Sequence, residues 1–378
     1  EPIDVWKDYL TLRAIEHYAP YLPKAFVAER FAFYGTRLSG TPQIADRWKR
    51  AVNETNAVLG EVVGKLYVAK YFPPQAKAEV EAMVKNIVEA FRKRIEALDW
   101  MAASTKAEAI RKLESLKVGV GYPDTWTDYS AYRVVRGDAF GNVQRAEAFA
   151  MAREVAKLGR PVDRGEWVMT PQTVNAVNLP VLNALNFPAA ILQAPYFDPK
   201  APAAMNYGSI GSVIGHEISH SFDDQGAQFD ASGHLRNWWT PADLKRFQDA
   251  GTALALQYDA YKPFPDLAVN GRQTLGENIA DLAGLAATYD AYRASLGGKP
   301  APVVDGFSGD QQFFLSFAQG WRTYYRPETL RQRLIGDGHA PAQYRAETVR
   351  NLDAWYAAFP VEPADKLYLA PEARVKVW

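Results

Sequence analysis

The segment His216-Glu217-Ile218-Ser219-His220 constrains this chain more than any other. Two imidazoles four residues apart share one face of an α-helix, one turn from each other. That spacing lets both reach a single Zn2+. Glu217, beside the first histidine, stands where it can hold a metal-bound water and take its proton. Only five histidines occur in 378 residues, so the pair is no by-product of a histidine-rich composition. The bland alternative is a surface helix that happens to bear two histidines.

A catalytic zinc needs three protein ligands and an open position. The other histidines are His17, His234 and His339. Acidic candidates are more numerous. Gly276-Glu277-Asn278-Ile279-Ala280-Asp281 places two carboxylates one turn apart on a helix expected from about Leu275 to Ala294. One can ligate the metal while the other accepts the free N–H of a ligating histidine and fixes its tautomer. An exposed acidic face is the competing reading, but Leu275, Ile279, Leu282 and Leu285 mark this helix as mostly buried. Ionised carboxylates are rarely buried without a partner. Asp223, one turn after His220, is a second candidate for the orienting role, with a solvated helix-end Asp as its equal alternative.

Composition narrows the partners. Lys plus Arg equals Asp plus Glu at 43 each, and no basic run occurs, which argues against nucleic acid or an anionic membrane. No stretch is long and apolar enough to span a bilayer. The absence of cysteine excludes thiolate zinc ligands, thiol catalysis and disulfides. No initiator Met precedes Glu1 and no signal-like segment follows it, so a processed or truncated product is expected, with any export signal already gone. Asn53-Glu54-Thr55 fits a glycosylation acceptor but reads as helix.

The chain to about residue 120 reads as helical. Val80, Val84, Ile87, Phe91, Ile95 and Leu98 keep an i, i+3/i+4 rhythm behind Pro73-Pro74, and another helix follows from Thr105 to Leu116. Glycines at 119 and 121 then punctuate the chain. Strands are expected at Trp167-Val168-Met169, from Thr173 to Val177, and at Ala190-Ile191-Leu192. Asn270-Gly271 suggests a hairpin-type turn.

The run Gly215-His216-Glu217-Ile218-Ser219-His220-Ser221-Phe222-Asp223-Asp224-Gln225-Gly226 resembles the active-site helix of the neprilysin family of zinc endopeptidases. The 276–281 run resembles that family's third-ligand helix. Leu98-Asp99-Trp100-Met101, Gly121-Tyr122-Pro123-Asp124, Phe187 to Gln193, Asn206-Tyr207-Gly208 and Val377-Trp378 are similar to family segments as well. The resemblance implies that His216, His220 and Glu277 bind one zinc per chain and that Glu217 is the general base. It implies that Asp281 orients His216 and that Asp223 supports His220.

Asn175-Ala176 matches the family's substrate-pairing edge strand, although Val177-Asn178 stands where two aromatics are usual. The 339–345 segment resembles the one supplying a transition-state histidine, His339, and a substrate-binding arginine, Arg345; from the sequence itself His339 is a loop histidine after Gly338. Tyr196, Ser212, Val213, Gly320 and Trp321 would receive the side chain after the scissile bond. Ser212 and Gly320 replace the larger apolar residues that relatives often carry. Most of the family's long N-terminal helical portion lies outside the matched region, so a companion N-terminal fragment or a reduced lid is expected.

The expected fold is mainly α with a small β-sheet (α+β). Residues 1–165 form part of a helical lid domain with linkers, and 166–378 a thermolysin-like zincin catalytic domain. The expected function is a periplasmic or secreted bacterial zinc endopeptidase acting on oligopeptides on the amino side of large apolar residues. A zinc aminopeptidase and a zinc-stabilised peptide-binding protein without catalysis are the rival readings. The first would need an acidic cluster near the edge strand, and Val174 to Leu192 has none. Retention of Glu217 and His339 speaks against the second.

Overall fold

A computed structural model describes residues 1–378. It is mainly helical with one three-stranded sheet. The chain divides into two compact units, Glu1–Val63 with Thr125–Val162 and Tyr325–Gln332, and Gly64–Asp124 with Asp163–Tyr324 and Arg333–Trp378.

The first unit is helical. It includes the helices Ile3–Tyr18, Lys24–Arg30, Arg47–Val58 and Ala139–Val155. Tyr18 donates to Glu147 at 2.6 Å, and Tyr21 donates to Glu54 at 2.5 Å. The glycosylation-like triplet at 53–55 lies inside a helix.

The second unit carries the sheet and the long buried helices. The helix Pro74–Ala97 starts where Pro74 occupies its first turn, a place where a missing N–H costs nothing. Its stripe of Val80, Val84, Ile87, Phe91 and Ile95 is buried, and it packs on the helix Leu275–Ser295. This explains why the units do not divide at the expected 165/166 boundary. The apolar stripe finds its partner in the second unit, so the 74–97 helix and its neighbour Ala103–Glu114 belong there.

That neighbour is fastened by Asp243, which is 3% exposed. Its carboxylate accepts from Thr105 Oγ1 at 2.6 Å and from the Ala102 amide at 3.2 Å. Burial alone would raise the Asp243 pKa. The donors Thr105, Thr240 and Ala102 outweigh it and hold the carboxyl below its ordinary value.

The sheet is ordered β1-β3-β2, with β1 at Lys117–Gly121, β2 at Val177–Leu179 and β3 at Ala184–Pro188. β3 is central and wholly buried; it pairs parallel to β1, with Lys117 opposite Ala184, and antiparallel to β2, with Leu179 opposite Ala184. β2 is an edge strand.

Three expectations about strands are corrected. Trp167 to Met169 is irregular, and the 173–177 strand begins only at Val177, because a turn between Thr170 and Thr173 delays it. Ala190 to Leu192 is a buried turn: its apolar run reflects burial, not extension. β1 was hidden by its own glycines. A Cβ on Gly119 would stand 2.7 Å from the Trp167 ring, so glycine is there for close approach within a strand. Asn270-Gly271 makes a turn without flanking strands: the Asn270 side chain and carbonyl accept from Gln273 and Thr274 at a helix start.

Two helical segments carry the candidate ligands. One runs from Ala203 to Asn206, passes through a π-helical stretch at Tyr207–Gly211, and continues as Ser212–Ser219, the histidine helix. The other is Leu275–Ser295, the glutamate helix, which packs against it along its length. Trp239, Phe247 and Phe222 gather around Trp378, with ring centroids 5.4–5.8 Å away, and form an aromatic layer in the same unit.

Candidate metal centre

His216 and His220 project from the histidine helix with ring centroids 4.5 Å apart. Each has its Nδ1 engaged by a carboxylate. His216 Nδ1 lies 2.8 Å from Asp281 Oδ1, and His220 Nδ1 lies 2.6 Å from Asp223 Oδ2. With the N–H on Nδ1, both Nε2 atoms carry lone pairs. They face each other at 2.9 Å. Two acceptors at that distance repel unless a cation or proton stands between them.

Glu277, one turn before Asp281 on the glutamate helix, closes the third side. Its Oε2 is 3.2 Å from His216 Nε2, and its Oε1 is 3.6 Å from His220 Nε2. Oε2 is buried and takes no hydrogen bond. One ligand atom from each of the three residues lies within 4.8 Å of the others. An orphaned carboxylate oxygen and two outward lone pairs are what a borderline-soft divalent cation such as Zn2+ takes. The donor set therefore fits zinc.

The electrostatics agree. Burial opposes a charge on His220, but Asp223 and Glu277 outweigh it and hold its pKa well above the ordinary value. Burial and His220 oppose protonation of His216, and Asp281 with Glu277 outweigh both. Burial would raise Glu277, yet the two histidines push it far below the carboxylate range. The pocket draws positive charge.

The remaining histidines are elsewhere. His17 pairs with Glu147 at 2.6 Å in the first unit, and exposed His234 stands 3.8 Å from Asp230. His339 does reach the centre, with Nε2 3.2 Å from Glu277 Oε2. Its backbone N–H donates to Asp337 Oδ1 at 2.9 Å, its Nδ1 is held by the same oxygen at 2.7 Å, and Asp337 is in turn paired with Arg333 at 2.7 Å. This loop histidine is thus aimed, with 43% of its side chain exposed.

Glu217 is buried at 7% and lines the same cavity of about 590 Å3. Asn175 and Ala176 line it too, immediately ahead of edge strand β2. Asn178 explains part of the departure at 177–178. Its Nδ2 donates to the Glu217 carbonyl at 2.7 Å and to Ser221 Oγ at 2.9 Å. Near the C-terminal end of the histidine helix, carbonyls lose their i+4 partners, so Asn178 caps the helix from the strand.

Arg345 is engaged in a way the sequence did not disclose. Its Nε and Nη2 donate to the two oxygens of Asp281, each at 2.8 Å, in a bidentate pair. Its guanidinium also stacks 4.2 Å over the Trp321 ring.

The wall expected to hold a side chain comes together around Tyr196, Ser212, Val213, Gly320 and Trp321. Ile191, Ser209 and Phe317 join it, and only their apolar or small character could have hinted at that. The Ser212 hydroxyl turns away to donate to Ser209 O at 2.7 Å. A Cβ on Gly320 would meet nothing nearer than Tyr196 at 3.6 Å, so there is open space.

Comparison with known proteins places these features in context. The profile of peptidase family M13 matches residues 175–375, and a second match to the same family covers 1–123. A neutral endopeptidase of Lactobacillus helveticus is 37% identical across 99% of this chain and 56% of its own length. Neprilysin-3 of Drosophila melanogaster is 34% identical across 98% of this chain and 48% of its own. Among solved structures, the Mycobacterium tuberculosis zinc metalloprotease ZMP1 in complex with inhibitor superposes with TM-score 0.96 at 48% identity, covering 100% of this chain and 58% of that one. PEPO of Lactobacillus rhamnosis gives 0.87 at 38%, covering 96% and 56%. The chain spans about half the length of the curated relatives it matches.

Proposed function

The chain belongs to peptidase family M13, and from that premise we propose that it is the catalytic part of a zinc-dependent endopeptidase cutting oligopeptides on the amino side of large apolar residues. The observation that carries this reading is the Glu277 carboxylate, Oε2 toward His216 and Oε1 toward His220, facing two histidine Nε2 atoms whose Nδ1 atoms are already taken.

His216, His220 and Glu277 would hold one zinc ion. When bound, zinc polarises a peptide carbonyl and lowers the pKa of water. Asp281 and Asp223 fix the tautomers that leave both Nε2 atoms free to ligate. Asn175 and Ala176, ahead of the edge strand, would take the substrate backbone as an added strand. Glu217 would remove the proton of the attacking water and return it to the leaving amine. His339, with its Nδ1–H on Asp337, would as the imidazolium donate from Nε2 to the developing oxyanion. Arg345, which lines the cavity beside Trp321, would hold a substrate backbone carbonyl. The side chain after the cut bond would enter the space beside Gly320 and Ser212.

The lid part of the architecture, expected over residues 1–165, would be carried by the unit of Glu1–Val63, Thr125–Val162 and Tyr325–Gln332. A companion N-terminal segment of the same protein and a periplasmic or secreted bacterial setting complete the proposal. Bacterial relatives support a bacterial source.

The deciding experiment compares Glu277→Ala with Glu217→Gln on a quenched-fluorescence oligopeptide, with zinc measured by elemental analysis. Glu277→Ala should lose most of the metal. Glu217→Gln should keep it and lose activity by about 10²–10⁴-fold or more. A parent protein that holds zinc but cleaves no peptide would favour the binding-protein reading; tightly held zinc in Glu277→Ala would refute the ligand set.

A further inference from the structure

Lys112 is 1% exposed, and the reaction outlined above does not use it. Lysine is almost never fully buried without partners. Here all three ammonium protons have acceptors. Nζ donates to the carbonyls of Ser221 at 2.7 Å, Gly226 at 2.7 Å and Phe229 at 2.8 Å. It also sits 5.7 Å from the centre of the Phe222 ring.

These acceptors are not scattered. Ser221 and Gly226 bracket Asp223, the residue whose Oδ2 holds His220 Nδ1. The Asp223 Oδ1 accepts the amides of Gln225 at 2.8 Å and Gly226 at 2.6 Å, so the carboxylate is held inside the turn. The turn curls back until a Cβ on Gly226 would overlap the His220 carbonyl oxygen. Gly226 O also accepts the Phe229 amide at 3.0 Å, and Phe229 O the Trp238 indole N–H at 3.2 Å, so the ammonium adds a second donor to each of these two and joins them to Ser221 O. A segment after a helix end has C=O groups short of donors, and a single tetrahedral donor gathers three of them.

We infer that Lys112 is a positioning residue of the metal centre: its ammonium clamps the 221–229 turn and so sets Asp223 against His220. The inference rests on reading His220 as a zinc ligand. The clamp comes from the helix Ala103–Glu114, an element that contributes nothing else to the site. Burial pushes the Lys112 ammonium down to about 8, with Asp223 and Asp230 pulling it back up. Measurements about one pH unit lower keep it charged.

The test uses the full chain and three readouts: zinc affinity by competition with a chromophoric chelator, the visible spectrum of the Co2+-substituted protein, and unfolding of the zinc-free protein. Lys112→Met retains the stem and removes the donors. It should weaken zinc by about 10–100-fold, the usual cost of disturbing the groups behind a metal ligand, and alter the cobalt bands. Lys112→Gln, with two N–H donors, should lie between parent and Lys112→Met.

In an Asp223→Ala background the effect of Lys112→Met on zinc should largely vanish, because the two act in series. Zinc affinity within twofold of the parent in a folded Lys112→Met protein overturns the inference. So does strict additivity with Asp223→Ala. If neither Lys112 variant folds without zinc, Lys112 serves the whole unit and the inference also falls. A parent that binds no zinc is a separate result, and it refutes the underlying ligand assignment.

Discussion

Gly215 and Gly284 touch backbone to backbone where the histidine helix crosses the glutamate helix. A Cβ built on Gly284 would stand 2.5 Å from both Gly215 C and His216 N. One on Gly215 would stand 2.5 Å from the Gly284 carbonyl oxygen. Neither glycine has a positive φ, so the requirement is space alone. One residue beyond Gly215 comes His216, and three residues before Gly284 comes Asp281. The closeness of the crossing sets the distance between ligand and orienting carboxylate.

Gly284→Ala should therefore separate the helices. Overpacking of this kind costs about 1–3 kcal/mol. Denaturant unfolding should report that loss, and zinc affinity should fall with it because Asp281 and Glu277 ride on the displaced helix. Stability and zinc binding both equal to the parent would show that the crossing can relax without harm.

His339 and Arg345 should fail differently. His339→Ala removes a group placed for the oxyanion, so kcat should drop with little change in KM. Arg345→Ala should raise KM and weaken competitive inhibitors. Because Arg345 also grips both oxygens of Asp281, that variant should bind zinc more weakly too, an effect absent from His339→Ala. Steady-state kinetics with metal titration separates them; matching profiles would contradict the division of roles.

The pocket beside Gly320 should prefer Phe, Leu, Tyr or Trp over Ala or Val in a peptide series varied only after the cut bond. Each methylene buried is worth about 0.8 kcal/mol, so Phe over Ala should reach tens- to hundreds-fold in kcat/KM. Gly320→Leu or Ser212→Met should fill the space and shift preference toward small residues. Equal rates for Ala and Phe in the parent would end this assignment.

Asp243 supplies a pH signature of folding. Its folded pKa is depressed, so its stabilising contribution is present above the ordinary carboxylate value of about 4 and is lost as pH falls through the lowered folded value. Asp243→Ala leaves the Thr105 hydroxyl and the Ala102 amide without their acceptor. It should cost about 1–3 kcal/mol at neutral pH, and the gap to the parent should close in acid. Urea unfolding of zinc-free protein at both pH values measures it; a gap independent of pH would show that the carboxylate's charge contributes nothing.

The helices were legible because their signals are local. Pro73-Pro74 and the stripe from Val80 to Ile95 announce the 74–97 helix, and Leu275 to Leu285 announces the glutamate helix. The same holds for His216 and His220, whose spacing is helical; Glu277 was singled out as their companion only by the resemblance, and the structure brings one ligand atom of each of the three within 4.8 Å of the others. Strands were legible only in part, because β1 contains glycines demanded by Trp167 and because a buried turn reads like a buried strand. What no periodicity could reveal were pairings across long stretches of chain. Arg345 with Asp281, Asn178 with the Glu217 carbonyl, and Lys112 with the 221–229 turn join residues 39 to 117 positions apart.

The π-helical stretch at Tyr207–Gly211 has one further consequence, which concerns rotation and not distance. A π turn takes up an extra residue while the helix on either side continues. Each residue of an α-helix advances about 100° around its axis, so an extra residue kept in plain α geometry would swing everything after it by that angle. The wider turn absorbs the residue instead, and His216, Glu217 and His220 keep the facing they would have without it. Deleting one residue between 207 and 211 should therefore restore plain α-helix with the three side chains still turned to the glutamate helix. The bulge adds Ser209 and its neighbours to the cavity wall without turning the residues that follow.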